Sequence, residues 1–202
     1  QEVRCWYYRA SWNKFHCFRK GGNLCQATLG DHRYQHSIFG GTASCIAVHP
    51  SDVGPALIAL DAKIVTSQRT INAEDFFDGF TSTVLNGDEI VTEISIPTPP
   101  SGSKQAFYKA SIRKAVDFAL GSCAVVIAPA TGSITSARVA LGSVGPVPFR
   151  ATGAEDALMG NSISESVAET AATAAVDGAF TLPLNKYKVE LTKGVVKQAI
   201  LA

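Results

Sequence analysis

The 202-residue chain predicts an α+β fold. Three observations carry that expectation. A proline-rich stretch, "PTPPSGSK" (97–104), sets off the second half of the chain, strand-like alternation runs there between residues 106 and 144, and helical composition follows it. Strands followed by helices, rather than alternating with them, favour an antiparallel sheet with helices on one face. The composition, 46% hydrophobic and 17% charged with a formal net charge of +1, is that of an ordinary globular chain, enough for one large domain or two small ones.

Residues 1–45 read as irregular loop, rich in glycine and aromatics and without a sustained period. The opening "QEVRCWYY" carries no initiator Met, no cap and no element signal, so a preceding segment, removed or carried on another polypeptide, is expected. In "HPSDVGPALIALDA", Ser51 or Asp52 can cap a short helix whose apolar face is Val53, Ala56, Leu57 and Leu60. "KIVTS" alternates as a strand, and "NAEDFFDGF" reads as a short helix and turn. "DEIVTEISIP" puts Ile90, Thr92, Ile94 and Ile96 on one face, and Pro97 stops it. Past the linker, "AFYKASI" (106–112), "FALGSCAVVIAP" (118–129) and "ITSARVALGSV" (134–144) are strands. Helices then follow in "GAEDALMG", "SESVAETAATAAVDGAF" and "YKVELTKGVVKQAILA", and there is no internal repeat.

No apolar run reaches the roughly 18 residues of a membrane span, and near-neutral charge gives no reason to expect nucleic acid. The first 36 residues differ: Arg4, Arg9, Lys14, Arg19, Lys20 and Arg33 face only Glu2 and Asp31. Such an excess answers a local negative charge. Four of the five cysteines lie in the same region, spaced Cys5-x11-Cys17-x7-Cys25-x19-Cys45. Two disulfides would fit a secreted domain with a smaller core than this one. A structural zinc site usually shows tight Cys-x2–4-Cys knuckles, which are absent here. An iron–sulfur cluster also takes four thiolates and tolerates wide spacing on loops, while nearby Arg side chains and Gly-rich backbone lower the cost of its negative charge. Plain core thiols remain a fourth reading, the natural one for Cys123 in its apolar strand.

At "KGGNLC", "CIAVHPSDVGPALIALDAKIV" and "DEIVTEISIP" the chain resembles the FAD-binding (medium) subunit of the molybdenum hydroxylases, which include xanthine dehydrogenase, aldehyde oxidoreductase and carbon monoxide dehydrogenase. The resemblance spans essentially the whole chain. It implies the second half of a PCMH-type FAD-binding domain over 47–98 and a C-terminal α+β domain over 104–202. Residues 1–46 resemble the loop insertion of the subset that holds an extra [4Fe-4S] cluster, whose ligands would be Cys5, Cys17, Cys25 and Cys45. The family's first FAD subdomain has no counterpart in this sequence, and a separate chain or a longer polypeptide is expected to carry it.

Carried over residue by residue, the FAD contacts implied are these. A Gly-Gly turn approaches the cofactor, either Gly21, Gly22 and Asn23 or Gly40, Gly41 and Thr42; both remain open. Ser51 and Asp52 lie beside ribityl or ribose hydroxyls, Ile90 or Val91 touches the ring system, and Lys109 stands near the isoalloxazine. Each has a plainer reading: loop turn, helix cap, half-buried strand and solvent-facing lysine. His49 is expected to be structural. The implied role is electron transfer to an external acceptor. Partners would be a large subunit with the molybdopterin cofactor and a small one with two [2Fe-2S] clusters. The compartment expected is cytoplasmic, with periplasmic as the alternative. The rival reading is a zinc-stabilised scaffold or assembly subunit without redox activity.

Overall fold

The computed structural model describes residues 5–10, 14–79, 82–114 and 116–202. Arg4 and Glu2 of the charge analysis, and Phe80 of "NAEDFFDGF", lie outside the described residues. Two antiparallel sheets organise the chain. The first, in the order β2-β1-β3, is built from β1 (Lys63–Thr66), β2 (Thr70–Asn72) and β3 (Val91–Ser95). The second runs in sequence order from β4 (Lys104–Ala110) through β5 (Gly121–Ala128) and β6 (Ser136–Gly142) to β7 (Phe149–Arg150). Residues 96–103 join the sheets.

The second sheet is covered on both faces, which explains why every residue of β5 is buried. One face carries Cys123, Val125, Ile127, Val139 and Leu141. It packs on α4 (Thr152–Leu158), α5 (Glu165–Ala174) and α6 (Tyr187–Leu201), the helices expected on one side. Ala168, Ala171 and Ala172 give α5 a small-residue face, and α6 buries Lys188, Thr192, Val195, Val196, Ala199 and Ile200 at helical spacing. The other face presents Ala124, Val126 and Ala140 to α2 (Val53–Ala59) and to Ile64 of β1.

Ser51 caps α2 by accepting the Gly54 N–H at 3.0 Å, and Pro55 sits in the first turn, where its missing N–H costs nothing. The buried face is wider than expected and excludes Val53, which is 60% exposed: Leu57 is buried and Ala56 and Leu60 pack against the same cluster as expected, and Gly54, Pro55, Ile58 and Ala59 are buried as well. A Cβ on Gly54 would stand 2.8 Å from Pro148 Cγ, so this side of the helix makes the closest approach. Strands β2 and β7 are too short to show a period, and the sequence reading missed both. The N-terminal region is mostly irregular as expected, but contains three single turns: α1 (Trp6–Arg9) and two 3-10 helices, Phe18–Lys20 and Gln26–Thr28. The short helix in "NAEDFF" is α3 (Ala73–Phe76).

Candidate functional site

Each of the first three cysteines heads one of those single turns. The Cys5 carbonyl accepts from Arg9 N–H at 3.1 Å, that of Cys17 from Lys20 and Gly22 at 2.8 and 3.0 Å, and that of Cys25 from Thr28 at 3.2 Å. A residue in that position has its backbone committed to the turn and its side chain free to point elsewhere. Here the side chains point inward: Cys5, Cys17 and Cys25 are buried, Cys45 is partly so, and all five cysteines are free. Cys5 is in electrostatic reach of Cys17 and Cys25, and Cys45 of Cys25 and Cys5. Burial pushes the Cys5 thiol up, and that of Cys45 to about 11, with the neighbouring thiols adding to the rise. Left as bare thiolates they would repel; a cationic metal centre reverses that balance and deprotonates them outright.

Two glycines and one buried cation, Lys20, shape this region. A Cβ on Gly22 would run into the His16 carbonyl oxygen, and Gly21 turns with φ of 80°, so "KGGN" closes the loop between Cys17 and Cys25. Lys20, 5% exposed, donates to the Tyr7 and Ala10 carbonyls at 3.1 and 2.9 Å, tying α1 to that loop. Arg33 pairs with Asp31 at 2.6 Å on the surface. Much of the local basic excess is therefore spent on scaffold, while Arg19 hydrogen-bonds to Cys45 and feels Cys17. His36 stands 3.4 Å from Cys5 Sγ through Nε2. Among the described residues, no group of three or more His, Cys, Asp or Glu side chains could hold a metal ion.

A second constellation forms at the entry to α2. Lys109 of β4 lies opposite Ser122 in the register, and Ser122 opposite Gly142, so the three share the face on which Pro55 packs. From there Lys109 Nζ donates to Asp52 Oδ2 at 2.6 Å, bringing together two residues 57 apart in sequence. Asp52 Oδ1 is buried without a hydrogen-bond partner, as is Ser122 Oγ. Ser51 is occupied by its cap on Gly54. His49 is buried edge-on to Phe77, with ring centroids 4.8 Å apart, and burial lowers its pKa to about 4; it is neutral and structural in its surroundings.

The remaining candidates sit apart from that pair in their local settings. Gly40 and Gly41 both turn with positive φ, 85° and 67°, next to the exposed Thr42; a Cβ on Gly40 would meet only Pro146, and nothing lies within 4 Å of one on Gly41. Asn23 is exposed in the cysteine loop. Ile90 and Val91 are 69% and 38% exposed at the outer edge of the first sheet, beyond β1. The sequence reading missed Lys20, His32, His36 and Lys188. Lys188 was detectable, because it occupies the first position of the apolar stripe that runs through Thr192, Val195 and Ala199.

The chain is thus a two-sheet α+β protein with an unpartnered Asp52 carboxylate oxygen beside Lys109. Comparison with known proteins makes the class specific. Residues 20–99 match the FAD binding domain in molybdopterin dehydrogenase, and residues 106–202 match the CO dehydrogenase flavoprotein C-terminal domain. The chain belongs to the family of FAD-binding medium subunits of the molybdenum hydroxylases. It is 36% identical over 165 residues to the aldehyde oxidoreductase FAD-binding subunit PaoB of Escherichia coli (strain K12), covering 77% of this chain and 50% of that one. It is 32% identical over 165 residues to the carbon monoxide dehydrogenase medium chain of Hydrogenophaga pseudoflava, covering 76% and 56%. A solved carbon monoxide dehydrogenase from Hydrogenophaga pseudoflava, lacking the Mo-pyranopterin moiety, superposes with a TM-score of 0.67 at 30% identity over 75% of this chain and 58% of that one. The chain thus spans about half the length of the curated relatives it matches. Cys25 and Cys45 fall inside the first matched stretch; Cys5 and Cys17 precede it. No helix among the described residues is long and apolar enough to cross a membrane.

Proposed function

We propose that this chain is the electron-transfer flavoprotein subunit of a molybdenum hydroxylase and that its cysteine loop holds an additional [4Fe-4S] cluster. What supports the cluster reading is that Cys5, Cys17, Cys25 and Cys45 are all free, the first three buried, with Cys5 and Cys45 within electrostatic reach of the others. A tetrahedral zinc ion needs all its sulfurs about 2.3 Å from one centre. In a cubane each thiolate binds a different iron, so a looser gathering serves.

On the flavin side, Asp52 would hold FAD through Oδ1, which has no other partner and suits ribityl or ribose hydroxyls. Ser51 sets the backbone at that point. Lys109, steadied at Oδ2, provides a cation toward the isoalloxazine, and Ile90 or Val91 provides exposed apolar surface. Gly40, Gly41 and Thr42 would offer close-approaching backbone, whereas Gly21 and Gly22 have work of their own in the cysteine loop. FAD supplies the interchange between one- and two-electron chemistry, and a nearby cation stabilises its anionic reduced form. Electrons would arrive from [2Fe-2S] clusters on a small subunit after hydroxylation at molybdopterin on a large one, and leave to an external acceptor. The division into 1–46, 47–98 and 104–202 belongs to the same reading.

Anaerobically purified protein should contain iron and acid-labile sulfide at about four each per chain, with broad visible absorption. Denaturation of the complex should release flavin fluorescence. Stoichiometric zinc without that absorption would overturn the cluster in favour of a zinc-stabilised scaffold, and absence of flavin would overturn the FAD role.

A further inference from the structure

The side chain of Glu89 is 0% exposed, although it lies at the open edge of the first sheet. Four hydrogen bonds hold its carboxylate. Thr66 Oγ1 donates to Oε1 at 2.7 Å and Arg69 Nε to the same oxygen at 3.0 Å. Arg69 Nη2 and the Asn86 N–H donate to Oε2 at 3.1 and 2.9 Å. Arg69 first, then Thr66 and Asn86, hold the carboxyl down at about 2, so it stays ionised. The Glu89 N–H donates back to the Asn86 carbonyl at 3.1 Å, closing a turn. The loop before β3 is thus anchored to the turn between β1 and β2, 20 residues away.

The residue after this anchor is Ile90. Ser67 clamps its backbone from both sides, donating its N–H to the Ile90 carbonyl at 2.9 Å and accepting the Ile90 N–H on Oγ at 3.2 Å. Beside it the pairing of β1 with β3 shifts register between Val65 and Thr66, the kind of irregularity that re-aims a side chain. Yet the Ile90 side chain is 69% exposed. Enclosing an ionised carboxylate is unfavourable unless its partners are held in good geometry. A solvent-facing isoleucine gains nothing by itself from being fixed so firmly. The gain comes when an apolar ligand surface lands on it, because the loop is then already ordered.

We infer that Glu89 is a positioning residue for the flavin, holding Ile90 in the place where it meets the ring system before FAD arrives. The inference rests on the FAD reading above, whose polar counterpart is the unpartnered Asp52 Oδ1.

The test titrates FAD into the flavin-depleted complex and reads the dissociation constant from flavin fluorescence. Ile90→Ala and Glu89→Gln should each weaken FAD about tenfold. The double variant should stay at about tenfold, because both changes act on one contact. A loss of about a hundredfold in the double variant, the product expected of independent sites, overturns the inference. Undiminished affinity in Glu89→Gln also overturns it. The wild type supplies a measurement that needs no variant to fold: amide hydrogen exchange over residues 84–91 should be slow without FAD and little changed by it. Fast exchange there that only FAD slows refutes the preset position. Undiminished affinity in Ile90→Ala removes the ring contact and this inference with it, while FAD binding stands. A wild-type complex that takes up no FAD is a different failure, which removes the FAD reading itself.

Discussion

Lys188 offers a test whose magnitude follows from its surroundings. It is 0% exposed, and its ammonium donates to the carbonyls of Tyr34 at 3.3 Å, His36 at 3.0 Å and Ser143 at 3.0 Å. The carbonyls favour the charged form and burial opposes it; burial wins, lowering the pKa from 10.5 to about 7. The unfolded chain keeps the ordinary value, so between these limits unfolding takes up a proton and stability rises with pH. Below about pH 7 both states are protonated and the burial penalty is present in full; it is relieved as pH climbs through 7 toward 10.5. Integrated from pH 6 to pH 9, one such group is worth about 2.7 kcal/mol. Lys188→Met abolishes the titration and leaves three buried carbonyls without their donor. Its stability deficit relative to wild type should therefore be larger at pH 9 than at pH 6 by about 2–3 kcal/mol. Other titrating groups cancel in the comparison, and His36, near 4, stays neutral throughout. Urea unfolding followed by circular dichroism at the two pH values measures it. A deficit equal at both, or greater at pH 6, would refute the reasoning.

Three further outcomes are expected. Asp52→Asn should weaken flavin retention by about tenfold, the low end of a charge-assisted hydrogen bond because the Lys109 pair is partly exposed; flavin fluorescence in the gel-filtered complex measures it, and undiminished retention would remove Asp52 from the site. Gly22→Ala should cut iron content while leaving far-UV circular dichroism intact, since its Cβ meets the His16 carbonyl inside the cysteine loop and touches neither sheet. Leu141→Ala, in the core of β6 at 0% exposure, should cost about 2–5 kcal/mol of unfolding free energy, visible as a lowered denaturant midpoint.

The fold was legible wherever a period ran long enough to be counted. Strands β5 and β6 and helices α5 and α6 fall within the stretches read from alternation and helical composition, and β4 and α4 overlap theirs, starting two residues and one residue earlier. What escaped depends on contacts that no period encodes. On α2 only Val53 was misplaced, because Pro148, 94 residues after Gly54, lies against the Gly54 side of the helix start. Ser51 as cap was readable from local chemistry; that Lys109 would find Asp52 was not, because it depends on how α2 lies across the sheet. In the cysteine loop the residue types were legible, but the contacts of Lys20, His36 and Lys188 are long-range hydrogen bonds to backbone and sulfur. Charge counting also overreached: Lys20 and Arg33 are spent on carbonyls and on Asp31.

One turn, residues 143–148, ties the two constellations together. Ser143, with φ of 61°, gives its carbonyl to Lys188; Val144 gives its own to Ile38 N–H at 2.9 Å; Gly145 gives its own to His49 N–H at 3.0 Å. Pro146 lies under Gly40, and Pro148 under Gly54. The segment from His36 to Gly54, which carries Cys45, the Gly40–Gly41 turn, Ser51 and Asp52, is thereby laid along the end of the second sheet. It is not an independent lobe. The segment that carries Cys45 and the helix entry that carries Asp52 both rest against one doubly covered sheet. A substitution that shifts this turn should therefore disturb both sites together, whereas Gly22→Ala and Asp52→Asn should each disturb one.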